Sequence, residues 1–280
     1  PHVHIESFMV YTNNVPCGHM RAPAKPQVTF AVESHMDMIA HELGIDPYEF
    51  RLRNVLHNGD ASPVGEKWKD IRAEETLHKA TDAADWSKPM ASPLTGRGMA
   101  ITDQPPGSGM SSATVSMDET GKASLLMSLW DQGTGAHTIL RQVVAETLTI
   151  SIGDVVFEIR DTDAVPFESG PGGSRVTYTS GQSTLGAAID LRDKLGSLAA
   201  EYLGSSADQM ELKEGRFSPS GEPAKSITVK DVAARAVGAM QSHIDGSSTY
   251  TAPPSEYTSY CTQVAEVEVD RETGQVKVNK

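Results

Sequence analysis

Residues Pro16 to Leu56 read PCGHMRAPAKPQVTFAVESHMDMIAHELGIDPYEFRLRNVL, and this stretch decides how the rest of the chain is read. Its first dozen residues hold Pro16, Gly18, Pro23 and Pro26 around a single arginine, Arg21. Proline fixes φ and removes a backbone donor, and glycine lets a ligand approach the backbone closely, so the segment predicts a pre-shaped turn presenting residues 17–22. From Pro26 to Leu43 the residues Val28, Phe30, Val32, Met36, Ile39, Ala40 and Leu43 follow helical spacing, and Gly44 supplies the stop. Asp46 and Pro47 restart a helix as N-cap and first-turn residue, running to about Leu56. Arg21 therefore precedes a helix N-terminus, an arrangement suited to an anion.

Working outward, 280 residues with 38% hydrophobic content suffice for two domains or one large one. A formal net charge of −13 argues against a nucleic-acid surface, which needs a basic face to release counterions. No apolar run approaches the roughly 18 residues of a membrane span, so no span is expected. The first residues, PHVHIESFMVYTNN, lack the basic and apolar regions of a signal peptide. The chain begins without methionine, in mid-pattern, so the expected compartment is the cytoplasm with the periplasm left open. Cys17 and Cys261 make neither a disulfide framework nor a thiolate metal cage. Among nine histidines no pair has zinc-helix spacing, and no metal ligand is assigned; His2 and His4 share one side of a possible strand.

Further along, Ala73 to Ala84 predicts a helix, and the proline- and serine-rich residues 87–95 predict a linker. Strands follow at Gly98–Thr102, Ala113–Asp118 and Ala123–Trp130, read as a β-meander. A helix is expected over Ala136–Leu148 and a strand over Val155–Ile159. A long irregular run, DTDAVPFESGPGGSRVTYTSGQS, comes before a helix from about Thr184 to Leu203. The remainder predicts a hairpin near Met210–Phe217, a helix starting close to Val229, and a closing hairpin with Val264, Val267 and Val269 opposite Val276 and Val278. The class is α+β, divided as 1–86, a linker at 87–95, and 96–280.

Two further stretches carry chemistry. Trp130-Asp-Gln-Gly-Thr-Gly-Ala-His-Thr138 lies at a strand-to-helix junction, where its glycines are expected to leave backbone N–H groups free for a phosphate or a pterin edge, with His137 at the helix start. Ser169-Gly-Pro-Gly-Gly-Ser-Arg-Val-Thr177 predicts a nest of backbone donors able to wrap a polar heterocycle without side-chain obstruction. Each alone also reads as an ordinary turn or flexible loop. No nucleophile elbow, P-loop, zinc-protease or Rossmann fingerprint is present.

Residues 16–56, with the loops at Asp131 and Ser169, resemble the large, molybdopterin-binding subunit of the xanthine dehydrogenase and aldehyde oxidase family. The resemblance implies parts of two molybdopterin-binding domains, the end of a first in 1–86 and the start of a second in 96–280. It implies a cofactor site that includes Gly18, His19, Met20, Arg21, Gln132, Gly133, Thr134, Gly172, Gly173, Ser174 and Val176, and makes Arg175 a candidate for a phosphate or pterin contact. The cofactor would be molybdopterin with molybdenum, alone or as the cytosine dinucleotide, with iron–sulfur and FAD centres on partner domains or subunits. The implied reaction is water-dependent oxidation of an aldehyde or N-heterocycle. Its general-base glutamate belongs to a Gly-x-Gly-Glu motif expected beyond Lys280, so no catalytic residue is assigned, and the chain by itself is expected to be inactive. Implied partners are the remainder of the large subunit, an iron–sulfur subunit and an FAD subunit. Where the family often reads Phe-Arg-Gly-Phe-Gly, this chain has Met20-Arg21-Ala22-Pro23-Ala24, and Thr134 stands for a glutamine. These departures keep a second reading open, a non-catalytic binding or assembly protein that retains the fold without the cofactor.

Overall fold

The computed structural model describes residues 4–16, 18, 20–63, 65–240 and 243–280. In chain order the elements are α1 (Lys25–Glu42), α2 (Pro47–Leu52), α3 (Ala73–Ala83), β1 (Thr95–Gln104), β2 (Gly109–Met117), β3 (Ala123–Met127), α4 (Ala136–Leu148), β4 (Val155–Ile159), α5 (Val176–Leu203), β5 (Met210–Lys213), β6 (Arg216–Pro219), β7 (Ile227–Thr228), α6 (Val229–Met240), β8 (Ile244–Ala252), β9 (Ser259–Val269) and β10 (Val276–Val278). Helices and mixed sheets make the chain α+β. It forms two compact units, residues 1–105 with 256–280, and residues 106–255. No helix among the described residues is long and apolar enough to cross a membrane.

In the first unit, β9 lies between β1 and β10 in an antiparallel sheet. The closing hairpin pairs Val276 with Val269 and Val278 with Val267, the register its valines predict. Strand β1 pairs with β9 from Thr95–Glu268 to Gln104–Ser259, so it does not join β2 and β3 in a meander. Its partner lies some 160 residues downstream, beyond the reach of a local pattern. The 87–95 segment, read as a linker, lies inside this unit, where Ser92 and Thr95 close a turn onto β1. The helix begun at Asp46, whose carboxylate accepts from the amides of Tyr48 and Glu49, stops at Leu52, short of Leu56. Residues 4–16 hold no strand.

Helix α1 is inverted in polarity. Its covered positions include Glu33 and Ala40, whereas Phe30 and Met38 are 77% and 67% exposed. The Arg51 guanidinium of α2 donates from Nε to Glu33 Oε2 at 2.9 Å and from Nη2 to the carbonyls of Glu33 and Met99. Its Nη1 approaches Asp37 Oδ1 at 2.8 Å, a contact of charges outside hydrogen-bond geometry. Glu33 Oε2 also accepts the Ile101 amide on the free edge of β1. The buried pair thus satisfies edge-strand groups that would otherwise seek another chain.

The second unit is a four-stranded sheet ordered β4-β3-β2-β8, with α4, α5 and α6 contributing to its core. Inward residues alternate as the pleat demands: Ala113, Val115 and Met117 on β2, and Ala123, Leu125 and Met127 on β3. Strands β3 and β4 run parallel, joined through α4, because a parallel pair needs a crossover. Helix α5 lies directly on β8: a Cβ built on Gly246 would sit 2.2 Å from Ala187 O and 2.3 Å from Leu191 N. A small sheet β5-β6-β7 completes the unit and lends Phe217 and Ile227 to the same core.

Candidate functional site

The second loop follows β3. Asp131 Oδ1 accepts the amides of Gly133, Thr134 and Gly135 at 2.9, 2.7 and 3.3 Å, and the Thr134 hydroxyl at 3.1 Å. The expectation of free N–H groups in this turn is therefore corrected: the carboxylate of its own Asx-type turn already holds them. An Asp followed two residues later by Gly was the signal for this. Partial desolvation pushes the Asp131 carboxyl up, and it is outweighed by the Thr134 amide and hydroxyl with the glycine amides, leaving its pKa lowered. Above the ordinary aspartate value of 3.8 the turn has its full stabilisation, which is lost as pH falls through the lowered value. Asp131→Asn is expected to abolish the acid transition of the Thr134 amide signal in an NMR titration, while the wild type shows one midpoint below 3.8.

What the turn leaves open is the exposed Gln132 side chain and the start of α4, which has no side-chain cap. His137 Nε2 meets Leu129 O at 2.9 Å and its ring stacks on Phe157 at 3.9 Å, so the imidazole braces the loop from behind.

The third loop runs from residue 160 to Arg175, shorter than read, because α5 starts at Val176 and takes in residues 177–183. Its tip, Gly172, Gly173 and Ser174, is exposed, and Gly173 and Ser174 both adopt φ of +58°. The Gly107 amide donates to Gly173 O at 2.7 Å, and Ser169 Oγ accepts the Met110 amide while donating to Met110 O. Arg175 donates to the carbonyls of Gly170, Ser169 and Ser108. Three of its N–H groups thus serve the backbone of this loop and of Ser108, and two of its five donors remain for a ligand. Val176 turns its side chain to the core, leaving only its backbone at the tip, and α5, like α4, begins without a side-chain cap.

The two loops meet. The exposed Trp130 ring lies over Gly170, where a Cβ would fall 2.9 Å from Trp130 Cη2; Gly170 has φ of +75°. Two exposed loops, each leading into an uncapped helix start, are thereby held side by side. A helix N-terminus presents unsatisfied amides and a partial positive charge, so such a pair favours a polar or anionic heterocycle.

The first loop belongs to the other unit. Gly18, Met20 and Arg21 are exposed, and Arg21 makes no ion pair with a described residue. His19 and Cys17 lie outside the described residues. Ala22 and Ala24, the latter the N-cap of α1, hold φ of +55° and +62°, a region that costs an L-residue about 1–2 kcal/mol. Ala24→Gly is expected to stabilise the chain by roughly 0.5–1 kcal/mol, read as a rise in thermal midpoint. Among the described residues no group of three or more His, Cys, Asp or Glu is placed to hold a metal ion.

Residues 71–280 and residues 1–55 match two families, each described as a molybdopterin cofactor-binding domain. The chain is 33% identical over 265 residues to the putative xanthine dehydrogenase molybdenum-binding subunit XdhA of Escherichia coli (strain K12), covering 88% of this chain and 35% of that protein. It is 24% identical to the carbon monoxide dehydrogenase large chain of Hydrogenophaga pseudoflava, covering 100% and 39%. The fold is that of the Cu,Mo-CO dehydrogenase in its carbon monoxide reduced state (TM-score 0.78, 23% identity, 91% of this chain and 36% of that one). It is also that of quinoline 2-oxidoreductase from Pseudomonas putida 86 (TM-score 0.74, 24% identity, 89% and 36%). The chain spans about a third of the length of the curated relatives it matches. On these matches, and on the fold that carries its paired loops, the chain belongs to the molybdopterin-binding large subunits of the xanthine dehydrogenase and aldehyde oxidase family of molybdenum oxidoreductases.

Proposed function

We propose that this chain holds the pterin part of the molybdenum cofactor within a molybdenum hydroxylase large subunit. The observation that carries the reading is the seating of Trp130 on Gly170, which sets the Gly172–Ser174 tip and the start of α5 beside Gln132 and the start of α4. The third loop suits the cofactor through its exposed tip: a Cβ on Gly173 would stand 3.6 Å from Gly107 Cα, so Gly107 braces one side of the tip while Gly172 and Ser174 stay exposed for a heterocycle. In the second loop the donors of Gly133 and Thr134 serve Asp131, so contact there falls to the Gln132 side chain and to amides of α4's first turn. Arg21 supplies the charge that orients a phosphate from the first loop, with Gly18, His19 and Met20 shaping the turn around it.

When bound, the molybdenum cofactor supplies the two-electron chemistry for water-dependent oxidation of an aldehyde or N-heterocycle, either as molybdopterin or as its cytosine dinucleotide. The chain's own part is binding and orientation. No catalytic base is assigned here: Glu33, one acidic candidate by residue type, is committed to Arg51 and the Ile101 amide. Residues 1–86 would close a first molybdopterin-binding domain and 96–280 open a second. The exposed Phe30 and Met38 of α1 and its C-cap Leu43 support a partner role for the remainder of the large subunit, in one polypeptide or as a split subunit, with iron–sulfur and FAD partners taking the electrons onward.

One observation favours the non-catalytic alternative: Asp131 places a carboxylate where an anionic ligand would find amides. Molybdenum and pterin analysis of the chain purified with its complementing subunits separates the two. The proposal expects about one pterin per chain and a marked loss in Arg21→Ala; a preparation with neither pterin nor molybdenum overturns it.

A further inference from the structure

Glu168 precedes the third loop's tip and enters a pocket of hydroxyls. Its Oε2 accepts the Ser111 hydroxyl of β2, and Oε1 accepts the Ser180 hydroxyl of α5 at 3.3 Å and the Gly170 amide at 3.2 Å. Ser111, Ser180 and Ser183 are fully buried, and Ser111 and Ser183 share a hydrogen bond of 2.8 Å. All three donors on the carboxylate are neutral. Three elements of the site therefore converge on one side chain, β2, the loop backbone at Gly170 and the first turns of α5, and the Trp130 ring packs on Gly170 itself.

Position explains why a carboxyl group is kept here. Its two oxygens accept from three donors on three different segments, which no aliphatic side chain could do. Gly170 sits at φ of +75° between a half-buried carboxylate and an indole, and Arg175 fixes the carbonyls on the loop's other side. The loop's entry is thereby clamped on three sides while its tip stays exposed. We infer that Glu168 is a positioning residue: it cross-links β2 and α5 beneath the loop and sets the Gly172–Ser174 backbone for its ligand. This rests on the reading that the tip holds the cofactor.

The test compares wild type with Glu168→Gln, and with Ser111→Ala in case the first variant does not fold, each purified with its complementing subunits. Amide hydrogen exchange over residues 169–175, the global melting temperature and pterin content are measured. Glu168→Gln removes the charge and replaces one of the two carboxylate acceptors with an NH2 donor, so exchange at 169–175 is expected to rise about tenfold or more. The melting temperature should fall little and pterin content several-fold, with Ser111→Ala intermediate. Unchanged loop exchange in a folded variant overturns the anchoring role. Faster exchange with undiminished pterin overturns the link to the ligand. A wild type without pterin would sink the cofactor reading itself, while the exchange data would still judge the anchor.

Discussion

Gly246→Ala is expected to destabilise the second unit by roughly 3 kcal/mol, the upper range for forcing volume into a packed contact. A methyl there would lie 2.2 Å from Ala187 O, 2.3 Å from Leu191 N and 2.8 Å from Leu191 Cβ. Two of these atoms are backbone in a helix of 28 residues, so α5 must lift from β8 as a whole. Lifting it would loosen Ala187, Leu191 and Leu195, all fully buried, and with them much of the core. Gly238→Ala provides the opposite control. That glycine is exposed in α6 with nothing within 4 Å of its virtual Cβ, so alanine should stabilise by about 1 kcal/mol. Thermal or urea unfolding reads both. A Gly246→Ala protein as stable as wild type would mean that α5 does not lie on β8 as described.

Arg51→Met is the second large effect, expected to cost about 3–5 kcal/mol, as removal of one partner from a buried ion pair does. The guanidinium side chain is 3% exposed and Glu33's is 10%, so Glu33 would be left with a buried charge and one amide partner. Met99 O would lose its cap as well. The paired replacement Arg51→Met with Glu33→Leu should recover part of the loss, since no isolated charge remains buried. It should not recover all, because Ile101 N–H on the edge of β1 stays unpaired. Breaking the exposed Lys79–Glu75 pair of α3, for comparison, should scarcely move the unfolding midpoint.

Much of this fold was legible wherever local pattern and tertiary role agree. Helix α4 and strand β4 fall at the residues their periodicity predicts, because each turns one apolar side to a core. The failures share a cause. Strand β8 went unread because its inward positions include Gly246, kept small by the approach of α5, which erases alternation. The first two turns of α5 read as loop because their buried side is Thr179, Ser180 and Ser183, of which Thr179 bonds back to Arg175 O while Ser180 and Ser183 face Glu168 and Ser111 rather than oil. Strand β1 was placed beside β2 because its true partner, β9, is remote in sequence. Of the candidate site, the three loops were visible as glycine-rich breaks, but the uses of Asp131 and Arg175 were not. Asp131 holds the amides of its own turn and Arg175 gives three donors to neighbouring carbonyls, contacts that residue type alone does not announce.

The central claim is that molybdopterin rests on the paired loops of the second unit. Amide hydrogen exchange on the complex with its cofactor, set against the same complex after cofactor removal, tests it most directly. The account predicts protection by bound cofactor concentrated at residues 172–178 and 136–138, the tip and the two uncapped helix starts, with the amides of 133–135 little changed because Asp131 holds them in both states. Equal exchange at both segments with and without the cofactor would contradict it.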